Sequence, residues 1–206
     1  AGWELTPKER ERAGKIGISI RSGHGTGKDA WLAWVYLWLL TCWPGARGLC
    51  TAPTQHQLQD VLWSEMRKWS RKSAAKLHEH IEVASEKAYV KDRSADSFVV
   101  NRTAKVSGTR EEQAETLAGF HGDHMILAVD EASGVSDGVF KPLEGAQTGK
   151  MNLAVLIGNP TRNTGYFFNT HHVDRKNWAA LHWSCEESDM DEVTGTKAMS
   201  GYVEGM

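Results

Sequence analysis

The chain has 206 residues, of which 40% are hydrophobic and 24% charged, and its formal net charge is -2 at pH 7. This length suffices for one generous domain with a sizeable core, and the near-neutral charge excludes a surface that is basic as a whole. Three cysteines without paired spacing predict reduced thiols in a cytosolic protein. The apolar run at residues 30–40 is shorter than the ~20 residues that span a membrane, so it predicts a buried helix and no membrane partner.

Short apolar or β-branched runs alternate with helical patterns along the chain. In chain order we expect a strand at 15–20, a helix at 28–43, a strand at 48–52, a helix at 54–76, and β-prone pieces at 81–84, 88–91, 97–100 and 104–107. A helix at 111–117, a strand at 125–129, a helix at 139–145, and strands at 153–157 and 178–183 complete the pattern. The alternation predicts an α/β fold with a mostly parallel central sheet flanked by helices. Residues 1–185 form the expected domain and 186–206 a polar linker.

A glycine-rich loop lies between the first predicted strand and the first predicted helix. Its residues are Ser22, Gly23, His24, Gly25, Thr26, Gly27 and Lys28, followed by Asp29. Glycines let successive backbone N–H groups point at phosphate oxygens, the helix N-terminus adds partial positive charge, and Lys28 reaches the β- and γ-phosphates. The loop departs from the usual P-loop pattern at both ends, because Ser22 replaces a glycine and Asp29 replaces the hydroxyl residue that ligates magnesium. The alternative is a glycine-rich turn without a ligand.

Two carboxylates follow the apolar run at residues 125–129, namely Asp130 and Glu131. A buried parallel strand delivers its last residues to the sheet edge where the phosphate loop also lies. In this pattern Asp130 holds Mg²⁺, with Asp29 as a second candidate ligand, and Glu131 deprotonates the attacking water. The alternative is a strand that ends in a solvated acidic turn.

Asn159 follows the next predicted strand and is placed to sense the γ-phosphate of ATP. The alternative for Asn159 and Pro160 is a simple turn.

These motifs together resemble the large-terminase motor of tailed bacteriophages. Three segments carry the resemblance: residues 119–125 leading into 129–133, residues 157–162, and residues 51–54 after the second strand. The similarity runs from about Ile16 to Arg162. It implies an ASCE-type RecA-like fold, ATP and Mg²⁺ as ligands, and double-stranded DNA as the translocated substrate. It also implies a ring on the portal of a procapsid in the host cytoplasm, with the portal protein and the small terminase subunit as partners.

The sequence departs from the terminase pattern in three places. Many terminase motors carry an arginine in the phosphate loop where this chain has His24, so Arg110 and Arg102 become the candidates for an arginine finger. The glutamine that usually precedes the loop is missing, because no Gln lies before Gln55. The acidic residues of the tail lack a strand framework, so we do not expect the nuclease of a full-length terminase in this chain.

The motor interpretation has two rivals, a different RecA-like DNA translocase or helicase and a nucleotide-binding assembly module with little hydrolysis. The basic stretch at residues 67–76, which includes Trp69, is the candidate DNA contact, and its alternative is a solvated helix face. The chain by itself is expected to be a monomer that binds DNA weakly.

Overall fold

The computed structural model describes residues 15–104, 109, 120–145 and 149–184. Its strands are β1 (Gly17–Ser22), β2 (Arg47–Ala52), β3 (Ile81–Val83), β4 (Lys87–Val90), β5 (Phe98–Thr103), β6 (His124–Val129), β7 (Met151–Gly158) and β8 (Trp178–Trp183). Its α-helices are α1 (Lys28–Cys42), α2 (Trp63–Lys72), α3 (Asp137–Phe140), α4 (Pro142–Gly145) and α5 (Tyr166–His171).

Within these ranges the strands form one eight-stranded sheet in the order β3-β4-β5-β2-β6-β7-β1-β8. The strands from β5 to β8 in this order pair in parallel, and only the β3-β4-β5 edge is antiparallel. The predicted α/β fold with a mostly parallel sheet is therefore confirmed. Because β7 lies between β1 and β6, the loop after β1 and the carboxylates after β6 meet at one edge, one strand apart.

The central strands are apolar on both faces, which explains why their sequences read as continuous hydrophobic runs. On one face Ile20, Ile126 and Val155 pack with the buried side of α1 and α2. On the other face Leu127 and Leu156 pack with Phe140 of α3 and Phe167 of α5. The sheet core is thus closed by helices on both sides, and its strand ends are held in fixed positions.

The structure corrects several predicted boundaries. The helix expected at 54–76 begins with a π-helical segment, Gln57–Leu62, and ends with α2 at Lys72. The helix expected at 139–145 is two short helices, because Pro142 lacks an N–H and starts a new one. Ala104, the first residue of the β-prone piece predicted at 104–107, lies just beyond the end of β5. The predictions for 105–107, 111–117 and 186–206 fall outside the described residues. Helix α5 was not predicted, since its six residues are too few to show a helical period.

A buried polar network fastens α5 to β1. Ser19 Oγ lies 2.6 Å from Thr170 Oγ1 and 3.0 Å from His171 Nε2, and the Thr170 hydroxyl donates to the Phe167 carbonyl at 2.7 Å. Each hydroxyl has one proton, so Thr170, which donates to Phe167, accepts from Ser19. Ser19 in turn accepts from the Nε2–H of His171. Burial lowers the pKa of His171 to about 4, and the nearby cationic groups Arg21, His172, Arg175 and His182 add to this effect. His171 is therefore neutral in the folded protein.

The neutral His171 predicts a pH-dependent stability. Because the pKa is about 4 in the folded protein against 6.5 ordinarily, the unfolded chain binds the proton more readily. The free energy of unfolding should therefore fall as the pH drops from 6.5 toward 4, and it should be independent of this group above that window. Urea unfolding across the pH range should show a shallower fall for His171→Gln. The matched control is His80→Gln, an exposed histidine outside this network, which should keep the parent slope; equal slopes in all three proteins would contradict the assignment.

Candidate functional site

The loop after β1 adopts the conformation that its glycines permit. Gly25 and Gly27 have φ angles of 71° and 79°, in the left-handed region that favours glycine. Gly27 precedes α1 and supplies no side-chain cap, so no cap hydrogen bond occupies the first N–H groups of the helix. The helix therefore opens with its N-terminal donors available to an anion.

Ser22, which stands where the usual pattern has glycine, has a structural role in the loop. Its hydroxyl lies 2.5 Å from the Thr26 hydroxyl, and the two hydroxyl oxygens lie 3.0 Å and 3.2 Å from the Gly23 carbonyl. One hydroxyl therefore donates to the other, which donates to the carbonyl. Ser22 is the last residue of β1 and is not among the residues with positive φ, so a side chain fits there. The departure from glycine thus leaves the loop intact and closes it with side-chain hydrogen bonds.

A buried ion pair joins the loop to the tip of β6. Lys28 Nζ lies 2.8 Å from Glu131 Oε1, and the two side chains are 8% and 23% exposed. Burial disfavours the Lys28 charge, but the hydrogen bond and charge of Glu131, with Asp29 and Asp130, raise the pKa of Lys28 above its ordinary value. Lys28 is therefore protonated and positively charged beside the phosphate loop.

The backbone of Glu131 is unusual for a residue with a side chain. Its φ is 46°, in the left-handed region, and its N–H donates to Asp130 Oδ1 at 2.8 Å. A non-glycine residue in this conformation is uncommon and stores local strain. The turn ends β6 abruptly and directs the Glu131 side chain toward Lys28.

Two further carboxyl groups, Asp29 and Asp130, lie beside this ion pair. Asp130 is 2% exposed, and burial raises its pKa to about 8, with Asp29 and Glu131 adding to the shift. Burial also raises the pKa of Asp29, although the Lys28 charge opposes it, and Asp29 shares a hydrogen bond with Asp130. The site thus has three carboxyl groups and a single lysine, Lys28.

The amide of Asn159 bonds to the phosphate loop. Asn159 is 6% exposed and follows β7, and its Nδ2 lies 2.8 Å from Nε2 of His24. The amide donates when that ring nitrogen carries no proton. The structure thus brings the candidate sensor onto the loop residue that replaces the arginine of the terminase pattern.

The turns after β6 and β7 are locked to each other, which the sequence did not indicate. The Ser133 hydroxyl accepts from the Thr161 backbone N–H at 3.2 Å and from its hydroxyl at 3.0 Å. Gly158 closes the contact, because a Cβ there would meet the Ala132 nitrogen at 2.8 Å. The glycine directly before Asn159 was the one signal in the sequence for this close approach.

The donor set fits magnesium bound together with phosphate. Among the described residues, no group of three or more His, Cys, Asp or Glu side chains is placed to hold a metal ion alone. Mg²⁺ usually takes one or two carboxylates plus substrate phosphates and water, and Asp130 with Asp29 supplies that number. The site can therefore hold the ion as part of a nucleotide complex.

Of the two arginine candidates the structure describes Arg102, which lies away from this site. Arg102 lies on β5, which β2 separates from β6, and its guanidinium lies 5.9 Å from the Phe120 ring centre. Arg110 lies outside the described residues. The other predicted site residues, from Ser22 to Asp29 with Asp130, Glu131 and Asn159, converge at one edge of the sheet.

These features define the class of fold. A glycine-rich loop leads from β1 into α1, an acidic pair ends β6, and the strand that carries Asn159 is inserted between them. This is the arrangement of an ASCE-type, RecA-like P-loop nucleotide-binding domain.

Comparison with known proteins narrows the class. The chain is 34% identical over 157 residues to a protein of Enterobacteria phage P7 named "Probable terminase, large subunit". Among solved structures it superposes on the large terminase ATPase domain of Thermus phage P74-26 with a TM-score of 0.56 and 14% identity, covering 87% of this chain and 81% of that one. It also superposes on the large terminase of a thermophilic bacteriophage in complex with ADP, with a TM-score of 0.58 and 13% identity, covering 84% and 40%.

The chain is thus similar in sequence to a terminase large subunit and has the fold of large-terminase ATPase domains. The match takes in 75% of this chain and 31% of the phage P7 protein, so the chain spans about a third of the length of that relative. No family model matches the chain. No helix in the described ranges has the length and apolar character needed to cross a membrane.

Proposed function

We propose that this chain is the ATP-hydrolysing motor domain of a viral DNA-packaging terminase, which couples ATP hydrolysis to movement of double-stranded DNA into a procapsid. The observation that carries the proposal is the ion pair between Lys28 and Glu131, with Asp130 and Asp29 beside it. A phosphate-binding cation and a water-activating carboxylate are the two groups that phosphoryl transfer to water requires. The likeness in fold to a large-terminase ATPase domain and to a large terminase in complex with ADP supports ATP as the nucleotide, and the resemblance to terminase motors supports DNA as the substrate.

Lys28 and Glu131 lie side by side and have separate roles in this proposal. A triphosphate offers Lys28 several anionic oxygens at the helix N-terminus, where the loop amides also converge. Glu131 acts as the base toward the attacking water.

The groups around the ion pair have complementary roles in the proposal. The loop from Ser22 to Gly27 cradles the phosphates. Asp130 with Asp29 would hold a magnesium ion, which would supply positive charge to offset that of the phosphates. Asn159 contacts the loop through His24, so a γ-phosphate that shifts His24 also shifts the end of β7. This contact is our candidate for coupling hydrolysis to movement, and Arg110 remains the proposed arginine finger.

The partners follow from the same proposal. We infer double-stranded DNA as the substrate, the portal protein and small terminase subunit as partners, and a homo-oligomeric ring on the procapsid in the host cytoplasm. A chain without net positive charge makes few phosphate contacts, and a ring multiplies weak contacts through effective concentration. In isolation the chain is a monomer.

Glu131→Gln tests the proposed base. The amide keeps the size of the side chain but cannot accept a proton, so turnover should fall by at least ~10²-fold. ATP affinity should stay within a few-fold, because Lys28 and the loop amides remain. Steady-state hydrolysis and nucleotide titration measure the two quantities. Glu82→Gln, an exposed glutamate on β3, is the control and should leave both unchanged; undiminished turnover in Glu131→Gln would remove Glu131 from the mechanism.

Asp29→Thr tests the metal site. A carboxylate near the phosphates repels them by about 4 kcal/mol at ~4 Å and an effective dielectric of 20, until a cation intervenes. The parent should therefore bind ATP weakly without Mg²⁺ and depend sharply on the metal. Asp29→Thr should bind ATP more tightly and need less metal, in calorimetric titrations with and without Mg²⁺.

Asp29→Asn is the matched variant, because it removes the charge without adding a hydroxyl ligand. It should improve binding in the absence of metal but gain less than Asp29→Thr in its presence. If Asp29→Thr binds ATP no better than the parent under either condition, Asp29 does not face the phosphates.

A DNA-dependent turnover assay separates the motor from its two rivals. Duplex DNA should raise ATP hydrolysis by the parent without separating the strands, and the effect should be lost steeply as salt rises, because the contacts are to phosphates. Strand separation would identify a helicase, and absence of hydrolysis an assembly module. Glu131→Gln serves as the inactive control. Tight, salt-resistant DNA binding by a monomer would contradict the proposed ring.

A further inference from the structure

An apolar groove lies between α1 and α2, away from the phosphate loop. Its floor consists of Trp34, Leu37, Trp38, Trp69 and Leu77, and its volume is about 480 Å³. We call it the tryptophan groove. Trp34 and Trp38 are each 47% exposed, which is unusual for side chains of this size. They are four residues apart on one helix and so lie on the same face.

The tryptophan rings hold one another in place rather than filling the groove. Trp34 meets Trp69 edge to face at 4.9 Å, and Trp38 meets Trp43 in the same way at 4.3 Å. Trp69 Nε1 also donates to Glu65 Oε2 at 2.7 Å. Fixed aromatic rings with an exposed apolar face are typical of binding surfaces, since little side-chain entropy is lost when they are covered.

The rim of the groove is basic. Lys72 lines it, and Lys68 and Lys72 extend over the Trp69 ring at 5.3 and 5.6 Å. Arg71 of the same helix lines a different cavity, so the basic residues at the groove are Lys68 and Lys72. Only part of the predicted basic patch is therefore at the surface, because Arg67 donates to the Val83 and Ala84 carbonyls at 3.2 Å each.

We propose that the tryptophan groove docks an acidic amphipathic helix of a partner protein, with apolar side chains on the tryptophans and carboxylates on the lysine rim. Helix-in-groove recognition requires an apolar cleft and a complementary charged border, and the groove has both. This surface does not depend on the nucleotide chemistry proposed above, because none of its residues belongs to that site.

Charge and polarity argue against a DNA duplex and against a second copy of the chain as the occupant of the groove. A DNA duplex presents phosphates and sugars, which leave the apolar floor uncovered. A second copy of the chain in a two-fold contact brings the same basic rims together, which is repulsive. An acidic amphipathic helix covers the apolar floor and also pairs its carboxylates with the lysines of the rim.

The exposed thiol of Cys42 gives a direct readout, because Cys42 lines the groove whereas Cys50 is fully buried. In a Cys185→Ser background of the full chain, the rate of Cys42 modification by a thiol reagent is followed as a synthetic helix with a leucine face and a glutamate face is titrated. The helix should slow modification at saturation. Trp34→Ala should weaken its binding by about tenfold or more, and Lys72→Glu by about fivefold.

Matched controls keep the test independent of folding. Leu181→Ala removes an exposed apolar side chain from β8, and Lys141→Glu reverses an exposed charge between α3 and α4, so neither should change the affinity. Lys72→Glu should also bind a helix with lysines in place of the glutamates better than the parent does, a gain that an unfolded variant cannot show.

Four results would overturn the proposal. The first is equal binding of the lysine helix and the glutamate helix to the parent, and the second is protection of Cys42 by a DNA duplex but not by the glutamate helix. The third is protection that rises with protein concentration alone, which indicates a second copy. The fourth is an affinity unchanged by Trp34→Ala and Lys72→Glu.

Discussion

The contact between Lys28 and Glu131 organises the edge of the sheet where the glycine-rich loop and the acidic pair meet. Each charged side chain would be costly to remove from water alone, and breaking such a pair leaves an uncompensated charge in a low-dielectric site. The pair therefore fixes the phosphate loop against the tip of β6.

Strand β7 sets the distance over which this contact acts. It separates β1 from β6, so Lys28 must reach across one strand to meet Glu131. Gly158 makes the crossing possible, because a side chain there would collide with the turn at Glu131 and Ala132. The same strand then presents Asn159 to His24. One inserted strand thus supports both the ion pair and the contact that links the loop to the sheet.

The sequence predicted those parts of the structure that depend on local patterns. The apolar runs of β6 and β7 and the glycines of the loop determine their conformations locally, so the sheet and the convergence of Lys28, Asp130 and Asn159 could be inferred. The ion pair could not, because the motif assigns Lys28 to phosphate and Glu131 to water and gives no sign of a contact between them. Helix α5 was missed because its Tyr-Phe-Phe start favours a strand, and packing of Phe167 and Thr170 overrides that preference.

Helix α1 connects the two surfaces of the protein. Its first residue, Lys28, belongs to the nucleotide site, and its last turn carries Trp38 and Cys42 in the tryptophan groove. Fifteen residues at a rise of about 1.5 Å each place the two ends roughly 22 Å apart on one rigid element. The helix is apolar on nearly all sides, because one part of it faces the sheet, another faces α2, and a third lines the groove. A partner in the groove would therefore contact the element that positions Lys28 and leave the loop open to nucleotide.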